Sequence, residues 1–209
     1  MKSAIFGGSF NPVQKAHISA VQYILDNTDI DKIILLPAFI APHKQKENDI
    51  AAFRHRLKML RIASDTLIKD KKVQISIIEK KLPAPSYTIN TLKKLSEFCK
   101  DEEPSLIIGR DMYNILDEWK DAKLLAETYR FIILNRKLSD IENEKIKSMF
   151  KYKPIFLKNP LWEISSTKVR RLFKEYYLKN DKKIIEKLKI LLPEEVIHYI
   201  LKENLYNDA

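Results

Sequence analysis

Glycine is nearly absent from this chain. Only three occur in 209 residues, where average usage of about 7% would give roughly fifteen. That scarcity excludes glycine-rich linkers, and no internal repeat or low-complexity segment is present. Cysteine occurs once, at Cys99. A lone thiol forms no internal disulfide and no zinc-type cluster, so Cys99 reads as a small core residue. No apolar run approaches the roughly 18 residues of a membrane span. Gly-Gly and Asn-Pro interrupt the N-terminus before a signal-peptide core develops, so a cytoplasmic chain without a membrane partner is expected. No clustered carboxylate triad is visible either, so a divalent ion would be held by its ligand and water rather than by the protein.

What is present describes a soluble globular protein, 45% hydrophobic and 32% charged. The length suits a single domain over 1–209, with 165–209 as a C-terminal helical subregion. A homo-oligomer is compatible with the sequence. The net charge of +10 admits two explanations, attraction of small anions or binding of nucleic acid. Its lysines are scattered over many helices without regularly interleaved aromatics, so a solvated basic surface is expected and no nucleic-acid partner.

Two of the three glycines are adjacent, Gly7 and Gly8. Ser3 to Phe6 reads as a short buried strand and Gly7-Gly8-Ser9 as a tight turn. From about Val13, the spacing of Ala16, His17, Ala20, Val21 and Ile24 predicts an amphipathic helix. A strand, a glycine turn and a helix start leave backbone N–H groups at the positive end of a helix dipole, which suits a phosphate. An ordinary βα turn is the alternative.

Further along, Lys32–Pro37 reads as a doubly covered parallel strand, followed by a loop carrying His43 and Lys44. Apolar spacing predicts one helix over Ala51–Leu67, with Arg54, His55, Arg56 and Arg61 on a solvated face. Val73–Ile77, Ser105–Gly109, Arg130–Leu134 and Pro154–Leu157 read as strands, and Asp140–Lys151 as a peripheral helix. Pro83 and Pro85 stiffen a loop leading to a helix start at Ser86-Tyr87-Thr88, where the hydroxyls either cap or bind an anion. Gly109 and Asp111 stand at a strand's carboxyl end, where open α/β sheets bind ligands, unless Asp111 only caps the next helix. Trp119 is either a platform for a flat ring or a core residue. Ser165-Ser166-Thr167, followed by Arg170, places three hydroxyls at a helix start where a plain cap needs one. A last helix opens at Pro193 and runs through Leu201.

The string from Gly7 to His17 resembles the GGxFxPxHxGH segment of the nucleotidyltransferase superfamily. Gly7, Gly8, Phe10, Pro12 and His17 match; Gln14 replaces His or Thr, and Ala16 replaces Gly. Ser165-Ser166-Thr167 and Arg170 fall in its ISSTxxR motif. Ser86-Tyr87-Thr88 begins an SYTxxTL pattern. Gly109, Asp111 and Trp119 form a GxDxxxxxxxW block, and Pro42-His43-Lys44 follows the second strand. Asn135-Arg136 is similar to the NRP segment, with Lys137 in place of Pro. Together these resemble the bacterial nicotinate mononucleotide adenylyltransferases.

The resemblance implies a Rossmann-like open parallel sheet with helices on both faces and a small C-terminal helical appendage. It implies transfer of AMP from ATP to nicotinate mononucleotide, with Mg2+ carried mainly on the ATP phosphates. His17 and Gln14, with Lys15 nearby, would meet the α-phosphate. Gly7, Gly8, Ser9 and Phe10 would line the nucleotide, and Ser165, Ser166, Thr167 and Arg170 would hold the polyphosphate tail. Lys44, Tyr87, Thr88, Asp111 and Trp119 would place the mononucleotide. The rival expectations are a sister enzyme using nicotinamide mononucleotide and a catalytically weakened nucleotide-binding protein.

Overall fold

The computed structural model describes residues 1–40, 49–97, 104–135, 144–162 and 165–207. Pro42, His43, Lys44, Cys99, Arg136, Lys137 and Asp140, all named above, lie outside the described residues. Strands β1 (Ser3–Gly8), β2 (Lys32–Pro37), β3 (Val73–Ile75), β4 (Ser105–Gly109), β5 (Phe131–Leu134) and β6 (Ile155–Phe156) form one sheet in the order β3-β2-β1-β4-β5-β6. Every pairing is parallel. The chain leaves β1 toward one edge of the sheet and returns to place β4 on β1's other side. Their carboxyl ends therefore flank the switch point, where such sheets bind ligands.

Successive side chains of the strands enter two separate cores. Ala4, Phe6, Ile33, Leu35, Ile107, Ile132 and Leu134 join one cluster, and Ile5, Leu36, Leu106, Ile108, Phe131 and Ile133 join the other. This period-2 split gives each central strand two apolar faces, which require helices above and below. The first face is covered by α1 (Lys15–Asn27), α2 (Phe53–Ala63) and α3 (Asp65–Lys69). The second carries α4 (Thr88–Ser96), α5 (Arg110–Tyr113), α6 (Ala122–Thr128) and Ile146 of α7 (Glu144–Lys147). Helices α8 (Ser166–Lys179), α9 (Lys182–Leu191) and α10 (Glu194–Lys202) bury Phe173, Leu188 and Ile200 in the first cluster. Among the described residues no helix is long and apolar enough to cross a membrane.

Three elements differ from the sequence-based expectation. The helix over 51–67 breaks at Ser64, whose buried hydroxyl donates to the Leu60 carbonyl at 2.7 Å. That local bond competes with helix continuation, and α2 gives way to α3. β3 ends at Ile75, where its pairing with β2 ends. Gly7 and Gly8 are the last residues of β1, in register with Leu36 and Pro37. The turn falls instead on the residues after Gly8, where Phe10 adopts the left-handed φ of 47°.

Candidate active site

The loop after β1 is built around Phe10 and Asn11. The Phe10 ring packs edge-on against Phe6 at 6.1 Å and His17 at 5.3 Å. It also lies over Gly8, where a Cβ would come within 3.2 Å of the ring. At Gly7 an added Cβ meets nothing within 4 Å, so the strand's end faces open space. Asn11 is 1% exposed and makes four bonds. Its Nδ2 donates to the Asp49 carbonyl at 3.0 Å, and its Oδ1 accepts from Ala51 N–H at 3.0 Å and the Tyr206 hydroxyl at 2.9 Å. The Asn11 carbonyl accepts from Arg170 Nη1 at 3.1 Å.

The first turn of α1 fixes His17. Its Nδ1 accepts the Gln14 backbone N–H at 2.9 Å, so the neutral ring carries its proton on Nε2, where it is a donor. Gln14 is buried, and its Nε2 donates to Ser166 Oγ at 3.1 Å. The opening motif and the start of α8 are thus in direct contact across 152 residues. Ser165 caps α8 by accepting from Lys168 N–H at 3.2 Å, Ser166 bonds to Gln14, and Thr167 is exposed. Lys15 differs from expectation. Its ammonium donates to the Lys189 carbonyl at 2.6 Å near the end of α9, where the negative end of the helix dipole favours a cation.

On the other side of the switch point, Tyr87 is the N-cap residue of α4 and no side chain caps that helix. Ser86 is engaged elsewhere, accepting the Ile40 N–H at 3.3 Å. Asp111 sits in the first turn of α5 without capping it; Gly109 is the N-cap residue. Trp119 is half-buried against the second core, with no hydrogen-bond partner for its Nε1 among the described residues. The next residue, Lys120, lies over the Tyr87 ring at 4.6 Å. The residue that follows the Trp119 block therefore meets the SYTxxTL segment at the Tyr87 ring.

Arg56 was expected on a solvated face and is instead buried, 3% exposed. Its guanidinium donates to the Ser9, Ala38, Phe39 and Ala51 carbonyls at 2.7 to 3.2 Å. It ties the loops after β1 and β2 to the start of α2. Burial pushes its pKa down, while Tyr206 and Glu79 pull it back up. A signal for Arg56 exists in the sequence, since it lies three residues before Met59 and four before Leu60, on the apolar stripe of α2. Tyr206, Lys120 and Glu79 carry no comparable signal. Among the described residues no group of three His, Cys, Asp or Glu side chains is placed to hold a metal ion.

A family model described as cytidylyltransferase-like matches residues 5–172. A Fusobacterium nucleatum protein described as a probable nicotinate-nucleotide adenylyltransferase is 40% identical over 196 residues, covering 90% of this chain and 98% of that one. An Endomicrobium trichonymphae protein of the same description is 32% identical over 205 residues and 98% of both chains. The solved Plasmodium falciparum nicotinic acid mononucleotide adenylyltransferase complexed with NaAD superposes with a TM-score of 0.80 at 25% identity. That match covers 99% of this chain and 98% of the other.

Proposed function

Because the chain belongs to the cytidylyltransferase-like family, among the nicotinate-nucleotide adenylyltransferases, we propose that it transfers AMP from ATP to nicotinate mononucleotide. The products are deamido-NAD and pyrophosphate, in NAD biosynthesis, and we place the reaction in the cytoplasm. The observation that carries the reading is the Gln14 to Ser166 contact beside the open end of β1. It joins a glycine-ended strand, a histidine at a helix start and a hydroxyl-rich helix start at one switch point.

The mononucleotide phosphate attacks the α-phosphorus of ATP in line, and pyrophosphate leaves. No protein nucleophile is needed, so catalysis is positioning and charge stabilisation. Gly7 admits the nucleotide to the strand end. His17, with Nδ1 fixed by the Gln14 amide, offers Nε2–H to the α-phosphate as its charge grows. The α8 amides, Ser166, Thr167 and Arg170 receive the leaving pyrophosphate, with Gln14 setting the Ser166 hydroxyl. Mg2+ would arrive on the ATP phosphates and neutralise their charge. On the acceptor side, the Tyr87 N–H is taken by the Pro85 carbonyl at 2.9 Å, and the uncapped first turn of α4 from Thr88 onward presents the amide donors to the pyridine carboxylate. Trp119 supplies a ring face, and Asp111 and Lys44 complete the acceptor set.

A carboxylate accepts from those amides, whereas a carboxamide would turn an NH₂ donor toward some of them. That mismatch should lower kcat/KM by about tenfold or more. Pyrophosphate release is measured with ATP against nicotinate mononucleotide, nicotinamide mononucleotide and phosphopantetheine. Equal kcat/KM for the two mononucleotides would overturn the carboxylate assignment. No turnover with any acceptor would favour a nucleotide-binding role without catalysis.

A further inference from the structure

Glu79 lies in a 3-10 turn, Ile78–Lys81, and is 6% exposed. A buried carboxylate is costly unless its oxygens are hydrogen-bonded. Its partners here come from the loop after β2 and from α4. Oε2 accepts the Phe39 backbone N–H at 3.0 Å. Oε1 accepts the hydroxyl of Thr91, in the second turn of α4, at 3.3 Å. Ser86 Oγ accepts the Ile40 N–H at 3.3 Å, and Ser86 N–H donates to the Ile40 carbonyl at 2.9 Å. Two adjacent links result: Phe39 is held through Glu79 to Thr91 of α4, and Ile40 is held to Ser86, just before α4 begins. The Phe39 carbonyl is held from outside by Arg56 at 3.2 Å.

The two links have a functional address. Phe39-Ile40 ends the loop after β2, and Ser86 immediately precedes the Tyr87-Thr88 start of α4. Glu79 touches neither of those two acceptor-binding residues. We propose that Glu79 is a positioning residue for acceptor binding, fixing the loop after β2 against the start of α4. This rests on the adenylyltransferase reading above. Removing the carboxylate leaves the buried Phe39 N–H without its acceptor and frees the loop after β2 to separate from α4. ATP is bound by other elements, the end of β1, α1 and α8, so its site is spared.

Steady-state kinetics separate this role from a general structural one. Glu79→Ala should raise the KM for nicotinate mononucleotide about tenfold or more while leaving the KM for ATP within about twofold. Glu79→Gln should restore the mononucleotide KM to within about threefold of wild type. Its amide oxygen can accept the Phe39 N–H, and its NH₂ can donate to the Thr91 hydroxyl. Ser86→Ala changes a half-exposed residue, folds regardless of the fate of Glu79→Ala, and should raise the same KM about threefold. An unshifted mononucleotide KM in both Glu79→Ala and Ser86→Ala, or an equal rise for both substrates, overturns the proposal. If Glu79→Ala does not fold, the Ser86→Ala result decides alone. Wild type assayed in parallel isolates the premise, because absence of turnover in wild type overturns the adenylyltransferase reading itself.

Discussion

At the scale of single residues, the site depends on which atom carries a proton. His17 Nδ1 is committed to the Gln14 N–H, so the neutral imidazole is a donor at Nε2, and in the proposed reaction it would meet a phosphate there. The charge it serves grows toward the transition state. His17→Ala should therefore lower kcat by about 10²–10³ while leaving the KM for the mononucleotide nearly unchanged. A near-normal kcat would reduce His17 to a helix-start residue. Glu79 gives a prediction of a different kind. Burial is the largest influence on its carboxyl and pushes the pKa above the ordinary range. Bonds from Ser86, Phe39 and Thr91 and the charge of Arg56 pull it down without cancelling the rise. A carboxyl raised on folding makes the native chain bind more protons than the unfolded chain between the two pKa values. Stability then falls as pH rises through that window and stays lowered above it. Glu79→Gln does not titrate, so its Tm should gain on wild type as pH rises above the ordinary glutamate range of about 4. A Tm difference that stays constant over that rise would contradict the raised pKa.

At the scale of elements, the Gln14 to Ser166 bond couples two helix starts that composition alone would leave unrelated. Gln14→Ala and Ser166→Ala should each raise the KM for ATP, and the double variant should be less impaired than their sum. The coupling should be about 0.5–1.5 kcal/mol; strictly additive effects would show that the contact does not matter in the bound state. The sequence made the elements legible because their apolar patterns are strong. β4 and β5 are buried at every residue, and a doubly covered strand can hardly look otherwise. Site positions at element ends were legible through motif resemblance, since a glycine pair, a hydroxyl triplet and an aspartate at a strand end each have a local signature. What stayed hidden is long-range. Neither Glu79 in a charged stretch nor Tyr206 near the C-terminus announces a partner 40 or 195 residues away. Ser64 was hidden for a local reason, because one hydroxyl bond to Leu60 outweighs a helical pattern that continues past it.

At the scale of the whole molecule, the two ends of the chain meet at Asn11. Its side chain and carbonyl join the loop after β1 to the Asp49–Ala51 segment, to α8 through Arg170 and to Tyr206 beyond α10. Burial pushes the Tyr206 hydroxyl above its usual range against the pull of Arg170 and Arg56, so it remains a donor at working pH. The four bonds are unequal in what their loss leaves behind. Tyr206→Phe removes one donor, but Asn11 Oδ1 keeps the Ala51 N–H, and the ring can stay beside Phe173. No buried group is stranded, so the cost should be only about 0.5–1.5 kcal/mol. Asn11→Ala strands the Ala51 N–H, the Asp49 carbonyl and the Tyr206 hydroxyl together, and each stranded buried group costs about 1–3 kcal/mol. Asn11→Ala should therefore be several-fold the more destabilising change. It should also raise the KM for ATP, because the loop holding Phe10 and the carbonyl anchoring Arg170 both loosen. Urea unfolding of the two variants, read as midpoint shifts at unchanged m-value, measures the first difference. Equal losses would mean that Asn11 is held by packing rather than by its hydrogen bonds.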